Sequence, residues 1–315
     1  MNIEPLHIET PLIPMSGPTR GGSTPLLKLD ALQIPGSFKI RGMGAACSEY
    51  ARQGAHRFIS SSGGNAGIAV AYAGRRLSIP VTVVVPESTT DRSKQLIRQY
   101  GADVITHGAT WHEANEHAQS LLAGTSRFLH PFDNPLLWQG HATLIDEVAR
   151  AGQKPDAILL SVGGGGLLCG VIEGLWRNNW TDIPLFAVET VGADSLAYAI
   201  KMQRPAALAN ITSVATSLGA KRVCDQAFEY TRQYPVHSLV VTDRSAVSAC
   251  ERFLDDHRIL VEPACGAALA PIYDSMPQVA DFKKPLVVVC GGATITAEQL
   301  RTLSVRLMRL VPPVA

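Results

Sequence analysis

The sequence is short of charge, and the charge it has is balanced: 17% of its 315 residues are charged and the formal net charge is +1. Without a field of one sign it has no electrostatic means of steering towards nucleic acid or an anionic membrane surface, and neither is expected as a partner. No apolar run approaches the roughly 20 residues that a membrane-spanning helix needs. Met1-Asn2-Ile3-Glu4-Pro5 has neither a basic nor an apolar stretch, so no secretory signal is expected. The six cysteines (Cys47, Cys169, Cys224, Cys250, Cys265, Cys290) form no CxxC pair, and in a chain this long they read as reduced thiols of a cytoplasmic protein. His112 and His117 lie five apart, which is not the spacing of a zinc-binding HExxH helix, and they read as surface residues. No Gly-x-Ser-x-Gly elbow is present.

What is present is apolar residue, 46%, enough to bury one large or two medium cores. After an extended lead-in with Pro11, Pro14 and Pro18, short apolar runs alternate with helical stretches. Strands are expected over 25–30, 56–60, 81–85, 103–107, 157–162, 185–189, 238–241 and 286–290. Helices are expected over 38–52, 66–76, 90–99 and 167–176, and Thr110-Trp111-His112-Glu113 has the form of a capping box. Continuous runs such as Pro285-Leu286-Val287-Val288-Val289 suit strands covered on both faces. The alternation predicts an α/β protein whose parallel sheet is covered by helices. The irregular stretch 129–135, with Pro131 and Pro135, suggests a boundary, the units between 56 and 130 making a small sheet of their own.

Three junctions carry chemistry. In Pro35-Gly36-Ser37-Phe38-Lys39-Ile40-Arg41-Gly42, Ser37 is the expected N-cap of the helix that follows. Lys39 then sits in the first turn, where the positive helix end and partial loss of hydration favour the neutral amine. A neutral lysine is a nucleophile that forms a Schiff base with an aldehyde. Ser161-Val162-Gly163-Gly164-Gly165-Gly166-Leu167 exposes consecutive backbone N–H groups that suit a phosphate. No Lys-Ser/Thr follows as in a P-loop, and Cys169 stands where a dinucleotide fingerprint has its third glycine. Ser60-Ser61-Ser62-Gly63-Gly64-Asn65-Ala66-Gly67 offers free N–H groups to a carboxylate, and Asn65 adds an amide that can donate to a phenolate-like oxygen. Cys290, at the end of the last strand, and Cys265, ahead of a small-residue helix, read on their own as packed thiols. A reactive lysine, a phosphate cradle, a carboxylate loop and an apolar strand end together describe an aldehyde bearing a phosphate that reacts with an amino acid. Pyridoxal 5'-phosphate fits that description.

On these motifs the chain resembles the liver-type L-serine dehydratase / L-threonine deaminase group of fold-type II pyridoxal-phosphate enzymes. The likeness runs from about residue 10 to residue 310 and includes Pro131-Phe132-Asp133, Ile211-Thr212-Ser213-Val214-Ala215 and Leu260-Val261-Glu262-Pro263-Ala264-Cys265-Gly266. It implies a tryptophan-synthase-β-like architecture, two open twisted sheets flanked by helices. A large cofactor-binding domain would comprise residues 1–39 and 134–315, and a small substrate-capping domain residues 40–133. The resemblance makes Lys39 the catalytic residue and the Schiff-base anchor of the cofactor, with Phe38 and Ser217 covering the two ring faces. Asn65 would bond the ring's phenolic oxygen, and Gly163, Gly164, Gly165, Gly166 and Leu167 would hold the phosphate. Cys290 would face the ring nitrogen, where a thiol need not keep that nitrogen protonated and the weaker electron sink favours elimination over transamination. Ser62, Gly63, Gly64, Asn65 and Ala66 would grip the substrate carboxylate. A monovalent cation such as potassium is implied at the Glu189 side chain and the carbonyls of Gly163, Ala193, Leu218 and Ala220. The family also suggests a homodimer acting on a small amino acid.

The reaction implied is α,β-elimination of L-serine to pyruvate and ammonia, or of L-threonine to 2-oxobutanoate and ammonia, with the Lys39 amine taking the α-proton. Three positions depart from the group's pattern. Pro35 comes one residue late, Ser217 stands where a small alanine is usual, and Gly63 stands where the liver enzyme has alanine. The backbone freedom of Gly63 could loosen the carboxylate loop and lower turnover. Serine racemases are similar but carry a serine hydroxyl at the Gly63 position as second base, and β-replacement enzymes do not share the pattern around Cys290. A catalytically weak pyridoxal-phosphate or amino-acid binding protein would carry the same motifs, and a nucleotide-binding α/β protein would use the glycine loop alone. With 315 residues, the further regulatory domain of biosynthetic threonine deaminases is not expected.

Overall fold

The computed structural model describes residues 4–16 and 22–309; Pro18 of the lead-in and the end of the family likeness at Leu310 lie outside the described residues. The strands are β1 (Leu12–Pro14), β2 (Leu26–Lys28), β3 (Phe58–Ser60), β4 (Val81–Val85), β5 (Asp103–Thr106), β6 (Arg127–Leu129), β7 (Ala157–Ser161), β8 (Leu185–Thr190), β9 (Val236–Val241) and β10 (Pro285–Val288). The helices are α1 (Lys39–Arg52), α2 (Asn65–Leu77), α3 (Asp91–Gln99), α4 (Trp111–Ser120), α5 (Pro135–Arg150), α6 (Gly166–Arg177), α7 (Ser195–Met202), α8 (Asp225–Gln233), α9 (Asp243–His257), α10 (Pro263–Tyr273) and α11 (Ala297–Arg309).

They build two open sheets flanked by helices, the α/β class expected. One sheet has the order β1-β2-β10-β7-β8-β9, parallel except where β1 runs against β2. The other has the order β5-β4-β3-β6 and is parallel throughout. The strand sequences follow their places. The interior strands β4, β7, β8 and β10 are buried along their whole length, whereas β5 and β9 at the sheet edges keep exposed residues. Helix starts are marked locally as well: Thr110 and Glu113 close the expected capping box on α4, and Asn134 caps α5 with Pro135 in its first turn.

The structure corrects the sequence reading at several points. The proline-rich lead-in contains a strand, β1. The last strand of the larger sheet stops at Val288, so Cys290 lies in the loop beyond it. His112 is exposed, but His117 is half-buried and stacks on His107 at 4.1 Å. Ser37 is not a side-chain cap. Phe38, already in helical conformation, holds the N-cap position, and the buried Ser37 hydroxyl has no partner among the described residues. The cause is tertiary: Ser37 bridges Gly291 in β fashion and the Phe38 N–H donates to the Cys290 carbonyl (2.9 Å), so the backbone is held against the loop after β10.

Two residues past Lys39, Arg41 is fully buried and anchors α1. Its guanidinium donates to both Asp30 oxygens (2.6 and 2.8 Å) and to both Glu147 oxygens (2.5 and 2.8 Å). Lys28 completes the cluster by meeting Glu147 at 2.5 Å. Burial works against the Arg41 charge, but the two carboxylates outweigh it and its pKa is raised. Two cations thus balance two carboxylates, and β2, α1 and α5 are tied at the root of the lysine segment.

Candidate active site

Parallel strands deliver their following loops to the same side, and here every junction singled out in the sequence lies beyond the carboxyl end of a strand. Lys39 follows β2, the 62–66 loop follows β3, Pro131 follows β6, the glycine loop follows β7, Glu189 is the second-last residue of β8 and Cys290 follows β10.

Lys39 is half-buried. Its Nζ donates to the Pro131 carbonyl (2.5 Å) and lies 5.3 Å from the centroid of the Phe38 ring. Loss of solvent lowers its pKa from 10.5 to about 8, against a smaller opposing pull that includes the Glu262 carboxylate. The direction expected from the sequence therefore holds, with desolvation as the main cause. His130, just before Pro131, is kept neutral beside the lysine: burial first, then Lys39, lower its pKa to about 4. Its Nδ1 accepts the N–H groups of Phe132 (3.3 Å) and Asp133 (2.8 Å), which places the remaining proton on Nε2.

Among the described residues, no protein acceptor takes the N–H groups of Gly163, Gly164, Gly165, Gly166 or Leu167. They form a run of unused donors at the start of α6, where the helix field also favours an anion. The glycines are required sterically. Gly165 has φ +91°, a region disfavoured for side chains, and a Cβ on Gly164 would overlap the Phe132 ring. Cys224 donates its N–H to the Gly164 carbonyl (3.0 Å) and braces the loop from the far side. A Cβ on Gly163 would stand 3.1 Å from both the Ser217 carbonyl and the Leu218 Cα, so Ser217 and Leu218 are brought beside the loop.

The 62–66 loop leads into α2. Its Gly64 N–H reaches only Ser62 Oγ (3.4 Å), and those of Gly63, Asn65 and Ala66 find no acceptor among the described residues. Asn65 is buried at the first position of α2. Its amide nitrogen donates to Glu262 Oε1 (2.6 Å) and its Oδ1 has no partner among the described residues. Glu262 is buried too, and its other oxygen takes the Thr294 hydroxyl (2.5 Å). Glu262 and Ser217 both line a cavity of about 600 Å³ that also includes Thr90, Ser213, Thr294 and Arg306.

Cys290 and Cys265 are both buried; a hydrogen bond from Cys265, followed by burial, pushes the Cys290 thiol well above its ordinary pKa. It is a neutral thiol. The buried His141 ring lies 4.9 Å from that of Phe38 with neither nitrogen partnered among the described residues, and burial holds it neutral. Glu189 is buried, with one oxygen accepting the Leu196 N–H and the other the Ala197 N–H (both 2.8 Å) at the start of α7. Burial drives its pKa up to about 8. Ala193 is buried and bridges Thr190, Ser195 Oγ reaches the Gly163 carbonyl (3.4 Å), and the Leu218 carbonyl takes the Ala220 N–H (2.8 Å). The described residues contain no group of three or more His, Cys, Asp or Glu side chains fit for a metal, so a cation here would rest on carbonyls and one carboxyl.

Sequence reading passed over Glu262, Thr294, the Pro131 carbonyl, His130 and His141. Glu262 could have been flagged as an acid immediately before a proline-started apolar helix. The Pro131 carbonyl has no sequence signal, since any residue there supplies one.

The Pyridoxal-phosphate dependent enzyme family matches residues 3–291 of this chain. The L-serine dehydratase/L-threonine deaminase of Homo sapiens is 44% identical, over 98% of this chain and 97% of that protein. A serine dehydratase-like protein of Mus musculus is 45% identical over 96% of both. Among solved structures, a fungal L-serine ammonia-lyase from Rhizomucor miehei superposes with a TM-score of 0.90 at 34% identity, covering 95% of this chain and 98% of that one.

Proposed function

The chain belongs to the pyridoxal-phosphate dependent enzyme family, and on that premise we propose that it is an L-serine and L-threonine dehydratase, releasing ammonia by α,β-elimination. The observation that carries the reading is the half-buried Lys39, whose amine is shifted towards neutrality at the same strand ends that present two loops of unused N–H donors.

The residues fit the cofactor. The partnerless donors of Gly163, Gly164, Gly165, Gly166 and Leu167 suit its phosphate, and the second amide hydrogen of Asn65 suits its ring oxygen. Phe38 and Ser217 would cover its faces, and the neutral Cys290 thiol would stand at its ring nitrogen without donating a formal charge. Bound there, pyridoxal phosphate supplies an aldehyde for the amine and a ring that draws electrons from the substrate. The chain does the rest. The loop of Ser62, Gly63, Gly64, Asn65 and Ala66 holds the substrate carboxylate. Lys39, with a pKa of about 8, accepts the α-proton near neutral pH, where a base of ordinary lysine pKa would stay protonated. The Pro131 carbonyl, which accepts from Nζ, sets the direction from which that amine acts.

The same reading places a monovalent cation at Glu189 and the carbonyls of Gly163, Ala193, Leu218 and Ala220. Its support is the buried Glu189 carboxyl, which burial drives towards neutrality and which a neighbouring cation would hold ionised. It also takes residues 1–39 and 134–315 as the cofactor-binding domain and 40–133 as a substrate cap, in a cytoplasmic homodimer. Buried free thiols at all six cysteines suit a reducing compartment.

Purified protein supplied with pyridoxal phosphate should show the visible absorbance of the bound cofactor and release ammonia from L-serine and L-threonine. Lys39→Ala should lose both; survival of either removes Lys39 from the role given to it.

A further inference from the structure

The turn that follows β6 touches the lysine and the glycine loop together. Its Pro131 carbonyl accepts from Lys39 Nζ (2.5 Å), and its Phe132 ring fills the space that a Cβ on Gly164 would need. The Phe132 backbone also closes on Gly166, where a Cβ would stand 2.6 Å from the Phe132 carbonyl. Two side chains hold the turn. The buried Trp138 of α5 donates its Nε1–H to the Phe132 carbonyl (2.9 Å). His130 Nδ1 accepts the N–H groups of Phe132 (3.3 Å) and Asp133 (2.8 Å), and its ring meets the Phe132 ring edge-on at 4.7 Å. Pro131 has no N–H, so both backbone donors of 131–133 are spent on this one imidazole. Asn and Asp oxygens commonly serve a turn in this way, whereas a histidine does so only as the neutral ring with its proton on Nε2.

We propose that His130 is a positioning residue: its Nδ1 shapes the 131–133 turn so that the Pro131 carbonyl stays on Lys39 Nζ and the Phe132 ring stays against the glycine loop. This rests on the assignment of Lys39 as the amine that takes the cofactor aldehyde and the substrate proton. His130 itself moves no proton. Without its acceptor the two N–H groups of the turn must find water, and the turn gives up its shape to reach it. The Pro131 carbonyl then leaves Nζ, water takes its place, and the amine regains part of the solvation that the folded site withholds.

The test compares His130→Asn, which keeps an acceptor oxygen, with His130→Leu, which keeps bulk without one, and with His130→Ala. Capture of pyridoxal phosphate by stripped protein, trapped with borohydride at a series of pH values, reads the amine directly. His130→Leu and His130→Ala should move the capture midpoint upward from about 8 by about one pH unit, a tenfold loss of neutral amine at pH 7. His130→Asn should restore most of that loss. The other titratable groups beside Lys39, namely Glu262, His141, Cys224 and Cys290, are the same in every variant. For ammonia release from L-serine, kcat should fall about tenfold in the two variants without an acceptor, with KM nearly kept because the 62–66 loop is untouched. A merely structural role would lower Tm and leave the midpoint where it was. A His130→Leu midpoint equal to wild type, or His130→Asn displaced as far as His130→Leu, overturns the proposal. If the variants without an acceptor do not fold, histidine 15N NMR of the wild-type protein decides. His130, assigned by its absence from His130→Asn, should be the neutral Nε2–H tautomer at pH 7, and an Nδ1–H or doubly protonated ring overturns the proposal. Capture at Lys39 without ammonia from either substrate overturns the proposed reaction alone, since the trapping midpoints still decide the role of His130; no capture at Lys39 overturns both.

Discussion

Capture of pyridoxal phosphate by the cofactor-free protein should accelerate with pH up to about 8 and then level off. Only the neutral amine attacks an aldehyde. At pH 7 an amine of ordinary lysine pKa is about 0.03% neutral, whereas one of pKa about 8 is about 9% neutral, roughly a 300-fold advantage. The cause is solvent loss around Nζ, between the Phe38 ring and the Pro131 carbonyl, with Glu262 restoring part of the charge. The assay adds limiting pyridoxal phosphate to stripped protein at a series of pH values, traps the adduct with borohydride and locates it by peptide mass spectrometry. The rate should rise about tenfold per pH unit below the midpoint, on the peptide containing Lys39. Glu262→Gln removes a charge that raises the Lys39 pKa, so it should move the midpoint to lower pH. Linkage gives a second readout. Between about pH 8 and 10.5 the folded protein holds fewer protons on Lys39 than the unfolded chain, so stability should rise with pH across that window and Lys39→Ala should lack the rise. A midpoint near 10.5, or label spread over other lysines, would refute the desolvation argument.

Arg41→Met should be among the most damaging single changes outside the loops, because among the described residues it leaves Glu147 with Lys28 and the buried Asp30 with no cation partner. Removing one partner of a buried ionic cluster costs about 3–5 kcal/mol, to be read by urea unfolding, and a loss below about 1 kcal/mol would mean that the cluster is hydrated. Gly164→Ala should force the Phe132 ring aside, at about 1–3 kcal/mol for overpacking. It should also weaken retention of pyridoxal phosphate on gel filtration, and retention equal to wild type would remove the loop from the phosphate role.

Much of the architecture was legible along the chain. The nearly continuous apolar runs of β4, β7 and β10 mark strands covered on both faces, and Thr110 with Glu113 marks a helix start within four residues. The site was legible where chemistry depends on backbone, because a run of free N–H groups needs glycines and glycines are visible as letters. Lys39 could be named for the same reason: its setting at a strand-to-helix junction is local.

What folding alone decided lies between segments far apart in sequence. Ser37 has every local attribute of a cap, yet its backbone pairs with Gly291 and its hydroxyl makes no cap bond. Asn65 finds Glu262 across 197 positions, Lys39 finds the Pro131 carbonyl across 92, and Thr89 fills the space beside Gly63. Such partners are chosen by strand order and by the gap each loop must cross. The parallel sheets bring their strand ends together whatever the sequence distance between them, and periodicity within one segment carries no record of which neighbour it will meet.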